Sequence, residues 1–269
     1  MTTIAQPRWQ GTGFTQQIGI LTGRSLRALL GDPKLVVFSV LQPLLMLLLF
    51  SQVFGSMASS ASFPAGVSYI DYLMPAILVT TGVGAALQSG IGLVSDMKNG
   101  VLARLRSLPI NSGSVLIARS LSDLIGTAIQ LVILLAAAVL LFDFSPSAGL
   151  LSVVPAFLLA LAVSWALSWV FLAVGAWVRS AESMQSIGFL ALFPLMFASS
   201  AFVPIDGLPG WLRLIATINP LTYAVDASRN LALGLPVGSG VVAALAASAV
   251  LLLVGAVAAV RGFRRPLGT

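Results

Sequence analysis

The sequence has 269 residues, 58% of them hydrophobic and only 8% charged, with 14 Lys and Arg against 8 Asp and Glu for a net charge of +6; such a chain cannot present a water-soluble surface and reads as an all-α integral membrane protein. It has no Cys and no His, which excludes disulfides, thiolate or imidazole metal sites, and Cys- or His-based catalysis. The basic residues sit beside apolar runs, as orienting charges of a membrane protein do, and not on a face shaped for nucleic acid.

In chain order, residues 1–11 are polar. From Phe14 to Leu30, Phe14, Ile18, Leu21, Leu26, Ala28 and Leu29 fall on one side of a helix and Gln16, Gln17, Arg24 and Arg27 on the other, with Ile20 an exception. Gly31-Asp32-Pro33 stops it. The pattern predicts an amphipathic helix on the cytoplasmic membrane surface, within a cytoplasmic segment 1–34; packing on its own protein would give the same pattern. A six-span domain is expected over 35–260. Its first run, Leu35–Met57, is long enough for a hydrocarbon core of about 30 Å, with a kink expected at Pro43. A second, Tyr69–Val94, is rich in Gly and Ala from Gly82 to Gly92, which favours close helix contact.

The stretch 95–115 then interrupts the apolar pattern. Lys98, Arg104, Arg106 and Arg119 lie in or just after it with Asp96 for acid, and Pro109, Asn111 and Gly113 break it after one short helix, which makes it a docking element. Third and fourth runs, Leu116–Phe142 and Leu150–Val178, form an antiparallel pair across the turn Asp143-Phe144-Ser145-Pro146. A fifth, Met184–Val203, is interrupted at Pro194 and is the run also open to a re-entrant reading. Residues 204–233 hold two short pieces, Trp211–Ile218 and another from Asn219-Pro220 to Leu233, too short to cross. Val237–Val260 spans last, and 261–269 is a basic cytoplasmic tail. With both termini cytoplasmic, every basic residue except Arg213 and Arg229 falls inside, the positive-inside pattern.

Ion-coupled carriers and proton pumps keep ionisable groups at membrane depth. Here Asp71 and Asp143 fall at outer ends, and Asp96, Asp123 and Glu182 at inner ones, which leaves Gln42, Gln88, Gln130, Ser and Thr in the middle. Asp123 follows Arg119 by four residues, the spacing of a local ion pair. Gln42 and Gln88 are the candidate polar groups of a path; Gln130 is open to substrate contact as well, and hydrogen bonding between helices is the other reading of Gln88 and Gln130. Asp71 and Asp123 lie near opposite faces, unfit for a shared-proton protease pair. No Gly-x-x-x-x-Gly-Lys-Ser/Thr loop is present, because Lys34 and Lys98 follow Pro and Met. The chain is therefore not expected to be an enzyme, and energy for transport must come from a partner at the basic loop.

This architecture, with MKNGVLARLRSLPINSGSVLIARSLSDL at 97–124 and INPLTYAVDASRNLALG at 218–234, resembles the permease subunit of the ABC-2 class of ABC exporters, and most of all its daunorubicin/doxorubicin-resistance branch. The resemblance covers essentially the whole chain. It implies a connecting helix at the start, a coupling helix received by a separate ATPase, and short extracellular re-entrant helices before the last span. Carried onto this sequence, Gly100, Arg104, Leu108 and Pro109, with Lys98 and Arg106 beside them, belong to coupling, and Trp211, Asn219, Pro220, Asp226 and Arg229 to the outer cap. One departure is visible: Asn99 and Ala103 stand where many relatives carry Glu around the coupling glycine. The same residues have plainer readings. Arg104 and Arg106 would serve as topology-setting charges, Pro109 and Gly113 as a helix stop, Trp211 as an interfacial anchor, and Asp226 with Arg229 as an exposed pair.

The resemblance implies two permease chains, alike or different, with ATP and Mg held by the partner ATPases and no cofactor on this chain. The cell membrane is the expected location and membrane lipids the surrounding partners. A path lined by the first, second and fifth spans is apolar with few polar groups, which suits a lipophilic drug-like compound or a lipid. An exporter of a lipid-linked glycan, or a non-transporting membrane scaffold or signalling subunit, are the alternatives.

Overall fold

In a computed structural model the described residues are 13–31, 33–56, 66–100 and 112–265, and among them the fold is helical with no strand. The helices are α1 (Phe14–Leu30), α2 (Pro33–Phe54), α3 (Tyr69–Lys98), α4 (Ser112–Phe142), α5 (Val153–Val178), α6 (Ala181–Phe197), α7 (Gly210–Ile218), α8 (Pro220–Leu233) and α9 (Gly240–Phe263). Five are long and apolar enough to cross a membrane: α2, α3, α4, α5 and α9. α6 is apolar but shorter, with 17 residues. The expected fifth span, Met184–Val203, therefore starts earlier and stops at Phe197. Its end is held out of helical register by side chains from elsewhere: Asn219 Nδ2 donates to Leu195 O at 2.7 Å and to Ala198 O at 2.6 Å, and Arg229 Nη2 to Ser200 O at 2.7 Å. These donors take carbonyls that would otherwise be unsatisfied at a buried helix end.

Two other boundaries move. The second run continues past Val94 to Lys98, so Ser95, Asp96 and Lys98 belong to α3. Lys98 there suits the negative end of the helix dipole, and Asn99 caps it by donating to Ser95 O at 2.9 Å. α4 likewise begins at Ser112, one turn before Leu116. Pro43 is buried inside a continuous α2.

α5 is the centre of the bundle, with α3 on one side and α9 on the other. Glycine makes both contacts close. A Cβ at Gly90 would lie 2.6 Å from Phe171 O, and one at Gly175 2.8 Å from Gly90 O. On the other side a Cβ at Gly255 would come 2.8 Å from the backbone of Trp169 and Val170. Small residues at a helix crossing let backbones meet where hydrocarbon supplies no hydrophobic drive. α4 and α5 are joined through residues 143–152, with a 3-10 turn at Leu150–Ser152, a longer link than the four-residue turn expected, and α5 packs far more on α3 and α9 than on α4. Near one end of that sparse contact Trp165 Nε1 donates to Ser120 Oγ at 2.6 Å. α1 lies against α4, where Ser114 Oγ donates to Gln17 Oε1 at 3.1 Å and Thr22 Oγ1 to Ala118 O at 3.3 Å. The amphipathic helix is thus packed on its own protein, through part of the polar side assigned to it from the sequence.

Candidate functional site

Three places hold the residues singled out above. At one end of the bundle α3 finishes and α4 starts. Lys98 is exposed in the last turn of α3, and Gly100, with φ +70°, occupies the left-handed position that follows a helix C-cap, where a side chain would be strained. Arg104, Arg106, Leu108 and Pro109 lie outside the described residues. Seven residues into α4, Arg119 Nε donates to Asp123 Oδ2 at 3.1 Å, the i,i+4 pair foreseen from spacing. Arg119 Nη1 also bonds Asp96 Oδ2 on α3. Sequence reasoning missed this second bond, because nothing in the spacing of positions 96 and 119 signals a contact.

At the opposite end Arg229 is the hub. The residue is 5% exposed. Nε donates to Tyr72 O at 3.1 Å, Nη2 to Ser200 O at 2.7 Å and Nη1 to Asp226 Oδ1 at 2.8 Å, while the guanidinium carbon sits 3.6 Å from the Tyr72 ring centroid. Ser200 Oγ donates to the same Asp226 oxygen at 2.6 Å. Asp226 and Arg229 are therefore not the exposed pair expected from their spacing: Arg229 is desolvated and uses its planar fork to tie α8, α3 and the chain after α6 together. Asn219 is a second buried anchor. Its Oδ1 accepts from Leu221 N at 2.9 Å to cap α8, its Nδ2 holds the end of α6, and Pro220 fills the first helical position, where a missing N–H costs nothing. Trp211, 69% exposed, stands apart on α7 with Leu214 and Ile218 exposed beside it.

The third set lies on α2 and α3. Gln42 is exposed on α2, directed away from the core-facing Val40 and Leu47. Gln88 is exposed on α3, a helix otherwise largely buried. Thr81, Gly84, Ala85, Gln88, Ile91 and Ser95 follow one another at helical spacing as its less buried stripe, and a Cβ at Gly84 would meet nothing. Leu87, beside this stripe, meets Gly188 of α6, and Gly92, one turn after Gln88 on the stripe itself, is crossed by Arg119 of α4. Phe189, Phe193 and Phe197 stack along the exposed side of α6 and continue to Phe202 and Phe50, with 4.5 Å between the last two ring centroids.

Gln42 and Gln88 are exposed amides on two largely apolar helices, and an arginine ties helices together at each end of the bundle. Residues 16–233 match the ABC-2 type transporter family. Over 211 residues the chain is 31% identical to a daunorubicin resistance ABC transporter permease protein of Streptomyces coeruleorubidus, covering 77% of this chain and 72% of that one. It is 28% identical over 257 residues to a Mycobacterium tuberculosis protein named "Probable doxorubicin resistance ABC transporter permease protein", covering 94% and 90%.

Proposed function

The chain belongs to the ABC-2 type transporter family as a multi-pass ABC transporter permease subunit, and from that premise we propose that it forms the membrane half of an ATP-driven exporter moving a lipophilic drug-like compound or a lipid out of the cytoplasm or inner leaflet. Two permease chains face each other, and a separate ABC ATPase on each side holds ATP and Mg and drives the coupling segment around 95–115, with Lys98, Gly100, Arg104, Arg106, Leu108 and Pro109. Both termini and that segment are cytoplasmic; α6 completes six crossings, and α7 and α8 are the outer re-entrant pair.

The observation that carries this reading is the exposure of Gln42 and Gln88 on α2 and α3, two helices long and apolar enough to cross a membrane. A primary amide without a hydrogen-bonding partner in hydrocarbon costs about 2 kcal/mol, so helices that each present one are matched to something other than lipid tails. A second permease chain and the path between them supply partner amides and passing substrate. The drug class comes from the named relatives and from the apolar surroundings of each amide, which fix the orientation of an amphipathic molecule.

The test is purification of the tagged chain from its own host, which should retain an ABC ATPase, followed by expression of the pair in a pump-deficient strain. Accumulation of anthracycline-like dyes should fall, and Gln88→Leu should restore part of it while the protein still inserts. Unchanged dye accumulation together with loss of a surface glycan on gene deletion would establish the glycan exporter instead.

A further inference from the structure

Arg119 reaches beyond its own helix. Nε is bonded to Asp123 one turn on, and Nη1 to Asp96, two residues before the last residue of α3. The guanidinium gets there by lying across α3 at Gly92, where a Cβ would overlap it. The Arg119 side chain is 21% exposed, that of Asp123 24% and that of Asp96 41%. Ion pairs this accessible add little to stability. The bond to Asp123 also answers the charge of Arg119 locally, so the bond to Asp96 is not needed for neutrality. What it adds is a fixed spacing between the end of α3 and the start of α4, the two helices that bracket residues 101–111. The same stretch of α4 is tied to α1 through Gln17 and Thr22.

We propose that Arg119 is a positioning residue: through Asp96, across the gap left by Gly92, it locks the exit of α3 to the entry of α4. A displacement imposed on the intervening segment then moves both helices as one body and does not splay them. The consequence for transport rests on the coupling role proposed above for that segment; the lock itself does not.

The naturally cysteine-free full chain accepts spin labels at Lys98→Cys and Arg27→Cys, one at the end of α3 and one on α1. In lipid nanodiscs the distance distribution between them should be narrow in the parent, about twice as wide in Arg119→Ala and Asp96→Asn, and unchanged in Asp123→Asn, because only the contact between helices sets the spacing. In the complex with its ATPase, without labels, transport per ATP hydrolysed should drop about tenfold in Arg119→Ala and Asp96→Asn and stay near the parent value in Asp123→Asn, with thermal midpoints close together. Should Arg119→Ala fail to insert, the contrast between the two Asp variants carries the test alone. Equal behaviour of Asp96→Asn and Asp123→Asn in the distance measurement overturns the proposal. If the parent neither binds an ATPase nor couples its hydrolysis to transport, the coupling reading fails, and the distance measurement still decides the lock.

Discussion

Arg229 and Arg213 share a side chain and sit on neighbouring short helices, yet they do different things. Arg213 is exposed and donates to Asp206 O at 2.7 Å, whereas Arg229 is buried against Tyr72 with four acceptors around it. Removing a buried, hydrogen-bonded charge leaves its partners uncompensated, so Arg229→Ala should cost about 3 kcal/mol, and Arg229→Lys should recover little because an ammonium cannot reproduce the fork. Arg213→Ala should stay within about 0.5 kcal/mol. Thermal unfolding in detergent checks all three, and equal midpoints for the Arg229 and Arg213 variants would refute the hub. The spacing of Asp226 and Arg229 is legible in the sequence. The burial of Arg229 is not, because Tyr72, Ser200 and Ala201 create it from distant parts of the chain, while Asp226 stays partly exposed.

Helix contacts divide α3 into a closed side and an open one, and glycines report which is which. A Cβ at Gly90 would stand 2.6 Å from Phe171 O and 2.7 Å from Met184 Cε, so Gly90→Ala forces α3 and α5 apart and should destabilise by about 1–3 kcal/mol. Gly84 has open space in front of it. Gly84→Leu should therefore change the stability of the single chain by less than about 1 kcal/mol, read as a nearly unmoved thermal midpoint, yet lower dye efflux, since it narrows the proposed face between permease chains. Efflux equal to the parent would remove that face from the path. The segment after Gly100 has its own test: if it is the proposed coupling segment, Arg104→Glu with Arg106→Glu should abolish drug-stimulated ATP hydrolysis in the reconstituted complex while insertion is kept. The Gly and Ala content of 82–92 announced a close crossing but not its partner; α5, not the next helix α4, turned out to be the main one.

For the molecule as a whole the orientation rests on the distribution of basic residues, and an impermeant thiol reagent can read it on a chain without cysteine. A cysteine at exposed Asp206 should label in intact cells, and one at Lys98 only after lysis; the reverse pattern would invert the topology. Asp226 is unsuited to this purpose, since its carboxylate holds Arg229 and Ser200. Membrane residence, the helical class, the absence of Cys and His chemistry and the places of the long spans were set by composition and by runs of apolar residues, because hydrocarbon demands a helix from each apolar run whatever its neighbours are. The family, too, was legible in the order of two short stretches. The tertiary structure alone decided where α6 stops, that Arg229 is buried, that Arg119 joins two helices and which sides of α2 and α3 remain open. Each of these depends on side chains meeting across dozens of residues, and a local pattern of polarity carries no record of which distant carbonyl or carboxylate a guanidinium will find.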